Sequence, residues 1–446
     1  MDYSQFIAEL GQIETITNPS QVAKLSEDYF KFSPVLTQQL TGKVGDLVVR
    51  PNNEAEVLQI ARACVKHRIP ITVRGSGTGN YGQAVPLQGG VILDTSKMQK
   101  IHWLKPGLAF VEPGLKLGNL DKQARQIGWE SRMVPSTVRT ATVGGFIAGG
   151  SGGIGSILYG QLRDRGNLKA VRVVTLEDEP RVIELRGDRV QKVNHAYGVN
   201  GIITALEIPL APAYAWAECI VAFTDFMAAA HFGQALATSD GMIKKLVSVH
   251  ADPIPTFFIP LREYIPPQAH IALVLVAESD LESFKVLVAE HGGDLCYEKD
   301  AQAASKGTSL VEFSWNHTTL HARSVDPALT YLQSGFPADP DLKLVQHMHE
   351  HFGDEVIMHL EFVRSAGEVV PGAIQIVRFT DCDRLDQIIK YHEENGVFIA
   401  NPHTYILEDG GMKQVNREQL EFKQMVDPYG LMNPGKMRAW FEQSGK

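Results

Sequence analysis

The sequence predicts an α+β protein of two domains, and three observations lead there. Its 446 residues exceed what one hydrophobic core usually supports. Up to about residue 212, short apolar runs alternate with glycine-rich stretches. Beyond the break at Pro209–Pro212 the pattern becomes strand–helix–strand, which gives a sheet with helices on one face.

Residues up to about 45 predict one or two short helices, with Pro19 and Pro34 as breaks, and carry no chemical signal. Val44 to Arg50 forms a strand. Asn52 and Asn53 with Glu54 and Glu56 open a helix, because Asn accepts from free amides and acids suit the positive end. Val57, Ile60, Ala61, Cys64 and Val65 then share one face, the spacing of a helix packed on a sheet. His67 and Arg68 close it, where cations are favoured.

The strand Ile69 to Val73 leads into Arg74, Gly75, Ser76, Gly77, Thr78, Gly79, Asn80, Tyr81, Gly82 and Gln83. Four glycines let consecutive backbone N–H groups converge on an anion. Gly77, Gly79 and Gly82 also satisfy G-x-G-x-x-G formally. A dinucleotide loop of that kind opens a helix, whereas here Pro86, Gly89 and Gly90 precede another strand, Val91 to Asp94. The stretch is therefore a phosphate-binding loop between two strands.

A strand around Ala109 to Glu112 and a helix of about Leu117 to Ile127 follow. Pro135, Ser136, Thr137, Thr142, Val143, Gly144 and Gly145 begin a second informative region. Seven glycines between 144 and 155 are too many for a packed element, and suit backbone lying against a flat ligand. Gly198, Gly201, Ile202 and Ile203 bring a third glycine pair next to an apolar strand. In the second half, strands at 218–223, 243–249, 271–277, 295–298, 356–363, 373–379 and 397–400 alternate with helices at 225–238, 281–291 and 384–394. Asp427 to Lys436 is a Pro/Gly-rich tail that frays unless it docks.

Composition narrows the classes. A net charge of −9 gives no general attraction to nucleic acid or anionic membrane. No apolar run reaches spanning length, and the N-terminus lacks a signal-peptide pattern. The cysteines at 64, 219, 296 and 382 form no C-x-x-C pair, which argues against a local iron–sulfur or zinc site and fits a reducing, cytoplasmic location.

Four landmarks in order, the 74–83 loop, Pro135 to Gly145, Gly198 to Thr204 and Asp427 to Lys436, resemble flavin-dependent oxidoreductases of the vanillyl-alcohol oxidase type with a PCMH-type FAD-binding domain. Within that group the chain looks most like the branch of glycolate and D-lactate dehydrogenases that includes glycolate oxidase. The resemblance implies an FAD-binding domain of two α+β subdomains over residues 1–212. It also implies an α+β cap over 213–400 and a segment, 401–446, returning to the FAD domain. It assigns the pyrophosphate to the 74–83 loop, the ribityl chain and adenine to 136–145 and 201–203, and Asn433 and Lys436 to the flavin end. Neither 74–83 nor 135–160 holds the His or Cys of covalent relatives, so FAD is expected to be non-covalent. The compact H-x-G-D-G-N-x-H metal motif is absent. His351 to Glu361 matches its ends with altered spacing, which a helix end before a strand also explains, so no metal is assigned.

Oxidation of a C–H beside a hydroxyl needs a group to take the O–H proton, and a carboxylate substrate needs Arg. His403 is the leading candidate base, in a segment, Asn401 to Glu408, expected at the domain junction with Tyr405 and Glu408. Asn316 and His317 form the second candidate, and Arg378 is a candidate carboxylate clamp. His359 and Glu361 share a strand face as a pair, and His347, His349 and His351 are expected to be solvated. The expected function is oxidation of a small 2-hydroxy acid, glycolate or D-lactate in type, with a quinone, partner subunit or oxygen as electron acceptor. Oxidation of a sugar alcohol or aldonolactone, and a weakly active flavin subunit of a larger complex, remain as alternatives.

Overall fold

A computed structural model describes residues 3–304 and 306–444. Its strands fall into three sheets. In the first, Leu47–Arg50, Val91–Asp94 and Ile71–Arg74 run parallel in that spatial order, with Glu14–Ile16 antiparallel at one edge. The helix Glu54–His67 covers it. Asn53 caps that helix by accepting from the Glu56 amide at 3.0 Å, and Arg68 ends it in the left-handed region. Val57, Ile60, Ala61, Cys64 and Val65 are all buried on its sheet-facing side. The stripe of apolar residues thus dictates both the helix and where it docks.

Pro19 and Pro34 begin helices rather than break them. They occupy the first positions of Pro19–Ser26 and Pro34–Leu40, where Asn18 and Ser33 cap and the missing proline N–H costs nothing.

The second sheet is antiparallel, in the order Ile101–Lys105, Leu108–Val111, Ile202–Pro212, Ala170–Val174, Val182–Arg186, and Trp129–Ser131 also pairs with the long strand. Here the glycine-rich stretch departs from expectation, because Val143–Gly149 is an α-helix capped by Thr142. Three helical glycines cost about 1 kcal/mol each. Two of them are required by close approach: a β-carbon on Gly144 would lie 2.5 Å from Pro113 Cβ, and one on Gly149 2.9 Å from Gln83 Nε2.

The third sheet holds nine antiparallel strands, with Trp216–Phe223, His270–Ala277, Lys244–His250, His359–Ser365 and Glu368–Arg378 at its centre. Phe226–Thr238, Leu281–Glu290, Lys343–Phe352 and Cys382–Glu394 contribute apolar residues to its core. That core also takes in Val134, Ile154 and Ile157 from the glycine-rich half. The junction is polar as well as apolar. Buried Glu130 accepts from Lys245 Nζ at 2.7 Å and Trp216 Nε1 at 3.0 Å, and the Gly155 amide donates to Lys245 O at 2.9 Å. Of the three C-terminal histidines of Lys343–Phe352, His349 is partly buried, its ring 4.4 Å from that of Phe226, and is not simply solvated.

The tail is docked. Asp427 accepts from the amides of Leu431 and Met432 and from Lys423 Nζ at 2.6 Å. Ile71 N donates to Leu431 O and Asn433 N to Ile71 O, so the tail joins the first sheet next to the strand that feeds the 74–83 loop.

Candidate functional site

A cavity of about 420 Å³ opens between the two halves. One wall is the 74–81 loop with Gln83 and Ala84, the second is Pro135 to Gly152, and the third includes Tyr197, Gly198, Gly201 and Ile203. The nine-stranded half supplies Glu312, Trp315, Asn316, His317, Leu320 and Gln333, and the N-terminal segment supplies Asp28, Tyr29 and Phe32.

The missing side chains explain how the first two walls meet. A β-carbon on Gly75 would stand 2.1 Å from Thr142 Oγ1, the cap of the neighbouring helix. Gly77 has φ +66°, and a β-carbon there would lie 2.0 Å from Arg74 Nη2. Arg74 lines the cavity, yet its guanidinium donates to the carbonyls of Leu25, Glu27 and Ser76. It shapes the loop from within, and burial lowers its pKa. Ser76 Oγ donates to Thr140 O, tying the loop to the second wall.

Ser76, Thr78, Gly79, Asn80, Tyr81, Pro135, Ser136, Thr137, Thr142, Gly144 and Gly145 also face the cavity. Five of the sequence-chosen cofactor residues lie behind its walls. Gly82 packs on Leu40, and Val143 and Ile202 are core residues. Asn433 donates to the carbonyls of Gln83, at 2.8 Å, and Tyr197, while Lys436 Nζ donates to Gly82 O. Both tail residues hold the end of the loop from behind, outside the cavity lining.

The catalytic candidates separate in the same way. Asn316 and His317 face the cavity. His403, the leading sequence candidate, does not. It is 5% exposed, with Nδ1 bonded to Ser33 Oγ at 2.8 Å and Nε2 to Tyr331 O at 2.9 Å. Burial pushes its pKa down to about 4. Tyr405 packs against the Phe30–Leu40 cluster beneath Lys436 Nζ, 5.1 Å from its ring centre. Glu408 accepts from the amides of Arg438 and Ala439 and so caps the last helix. Arg378 is exposed and donates to Asp354 O at 2.9 Å, outside the cavity lining.

Sequence reasoning missed Glu312, Arg139, Gln333 and Asp28. Glu312 Oε2 lies 3.3 Å from His317 Nδ1, and its Oε1 lies 2.9 Å from Arg139 Nε across the junction. The hydrogen bond from His317, followed by charge attraction to His317 and Arg139, lowers the Glu312 pKa. Gln333 Oε1 accepts from Tyr81 OH at 2.7 Å, a second link between the nine-stranded half and the loop. Asp28 accepts from the amides of Phe30 and Ala84, and burial drives its carboxyl up to about 6 against the pull of Lys436. The five-residue interval between Glu312 and His317 was a visible signal, whereas Asp28 had none.

A family model described as an FAD binding domain matches residues 45–183. Glycolate oxidase subunit GlcD of Bacillus subtilis is 24% identical over 431 residues, 88% of this chain and 89% of that one. D-Lactate dehydrogenase of Archaeoglobus fulgidus is 32% identical over 160 residues, 36% of this chain and 34% of its own length. The chain is an FAD-linked oxidoreductase. It is similar to the branch that holds these two relatives, and FAD is its cofactor. A solved alkyldihydroxyacetonephosphate synthase superposes with TM-score 0.73 at 15% identity, covering 97% of this chain and 86% of that one, which shows the shared PCMH fold.

The cavity of this FAD-linked oxidoreductase suits the cofactor. At Gly198, which lines the cavity, an added β-carbon meets nothing nearer than Val73 Cβ at 3.9 Å, so the backbone there leaves room for a ligand. Among the described residues no helix is long and apolar enough to cross a membrane.

Proposed function

We propose that this oxidoreductase oxidises a small 2-hydroxy acid, glycolate or D-lactate in type, in the cavity between residues 1–212 and the cap over 213–400. The observation that carries the reading is the Arg139–Glu312–His317 chain, which joins the Pro135–Gly152 wall to the nine-stranded half across the cavity lining. FAD, when bound non-covalently along those loops, supplies the hydride acceptor.

His317 acts as the base. With Nδ1 directed at Glu312, the imidazole keeps Nε2 for the substrate hydroxyl proton. Asn316, next to it at the start of the helix Asn316–Val325, offers an amide to the same substrate oxygen. Arg139 takes the role expected of Arg378, as a cavity arginine whose planar fork matches a carboxylate. Trp315, Phe32 and Leu320 exclude water from the reacting carbon. The four free cysteines support the cytoplasmic reading, and the electron acceptor is a quinone, a partner subunit or oxygen.

The test is an anaerobic spectrum of the purified protein before and after glycolate, D-lactate and a polyol. Bleaching by the hydroxy acids alone is expected. Bleaching by polyols alone would transfer the reading to sugar alcohols, and a spectrum indifferent to every compound would remove it.

A further inference from the structure

The helix that carries Asn316 and His317 has no cap of its own. Trp315, at its N-cap, has φ +52° and ψ −141°, a backbone conformation an aromatic residue rarely adopts, and its side chain makes no capping bond. Its backbone N–H instead donates to Glu361 Oε1 at 2.6 Å, from a strand 46 residues further on. Glu361 is 2% exposed, and the same oxygen accepts from Ser248 Oγ at 2.8 Å and faces His359 Nε2 at 2.9 Å. His359 is anchored in turn through Nδ1 to Ile374 O at 3.0 Å, and His250 stacks on it with ring centres 4.3 Å apart. The centre of the nine-stranded sheet thus presents one fixed carboxyl oxygen to a strained turn.

Buried polar groups are costly unless they are hydrogen-bonded, and the three contacts on Glu361 Oε1 hold that oxygen in one place. One of these three contacts fixes a turn whose next two residues line the cavity. We propose that Glu361 is a positioning residue for the reaction, acting through the Trp315 amide to set where Asn316 and His317 stand. The role rests on the reading of His317 as base, because the placement matters only if that imidazole takes the proton. A shift of about 1 Å in a reacting group costs about a hundredfold in rate.

The experiment compares Glu361→Ala, Glu361→Gln and Ser248→Ala in the FAD-loaded protein by two readouts. The first is hydrogen–deuterium exchange over residues 314–320, where the amides of Trp315, His317 and Thr318 report the turn. The second is the rate of substrate-dependent bleaching, split into kcat and KM. Glu361→Ala should speed exchange in that segment at least about tenfold, leaving FAD content unchanged. It should also lower kcat between about tenfold and a hundredfold with KM within about threefold. Glu361→Gln keeps an oxygen for the Trp315 amide and should restore both readouts. Ser248→Ala removes one of the bonds that fix the same Glu361 oxygen and should fall between the parent and Glu361→Ala in both readouts. Parent-like exchange and kcat in Glu361→Ala would overturn the proposal, as would equal damage from all three variants. If no hydroxy acid bleaches the parent, the functional reading fails, and the exchange data still decide whether Glu361 holds the turn.

Discussion

His317 Nδ1 lies 3.3 Å from Glu312 Oε2 at the edge of the cavity, the imidazole only 13% exposed. A carboxylate that holds one ring nitrogen decides which other nitrogen is available, the arrangement expected of a base. Replacing His317 with Asn should slow substrate-dependent bleaching about a hundredfold or more, with FAD still bound. Glu312→Gln keeps the shape and should cost about tenfold. An unchanged rate in the His317 variant would exclude it as the base.

Loop conformation should control cofactor retention. Arg74 cannot give way at Gly77, since the carbonyls of Leu25 and Glu27 hold its guanidinium and Gly77 itself has φ +66°. Gly77→Val therefore combines backbone strain with a clash and should open the first cavity wall. Purified Gly77→Val protein should carry less than about a tenth of the parent's FAD by absorbance, at equal protein concentration. Full occupancy would show that this loop does not grip the cofactor.

Much of this architecture was legible because local chemistry and tertiary role coincide. The stripe Val57 to Val65, the capping Asn53 and the strand entering the 74–83 loop follow from periodicity and side-chain hydrogen bonding alone. The helix Val143–Gly149 was not legible, because its glycines serve approach to Pro113 and to the loop, and nothing local marks such a contact. Site residues followed the same division. Glycines of the loop announce themselves by composition. The pairing of Glu312 with Arg139 joins residues 173 positions apart, and the burial of His403 depends on Ser33 and Tyr331, which sequence spacing does not bring together.

His403 should matter for stability rather than turnover. Both of its nitrogens are bonded, to Ser33 and to the Tyr331 carbonyl, in a site closed to solvent. His403→Ala removes two buried hydrogen bonds and leaves a cavity, a loss of about 2–4 kcal/mol. Urea denaturation should show that loss, while the bleaching rate of the folded fraction stays within about threefold of the parent. A rate collapse with unchanged stability would restore His403 to the mechanism.

Acid should destabilise the protein below about pH 6.5, the ordinary histidine range. Burial holds His195 and His403 down to about 4, and burial followed by repulsion from His359 holds His250 well below its usual value. The folded chain therefore binds fewer protons than the unfolded chain between those limits, and stability is lost as pH falls. His195 and His403 each contribute a loss of roughly 2 kcal/mol by pH 5, and His250 acts in the same direction. Asp28 runs the other way. Its carboxyl, raised to about 6 by burial, penalises the fold above that pH, so acidification returns about 1 kcal/mol. The net effect is a lower urea midpoint at pH 5 than at pH 7. His403→Gln should narrow the difference, because one of the groups that resists protonation is gone. Equal midpoints at the two pH values would mean that these imidazoles take up protons as readily in the fold as outside it.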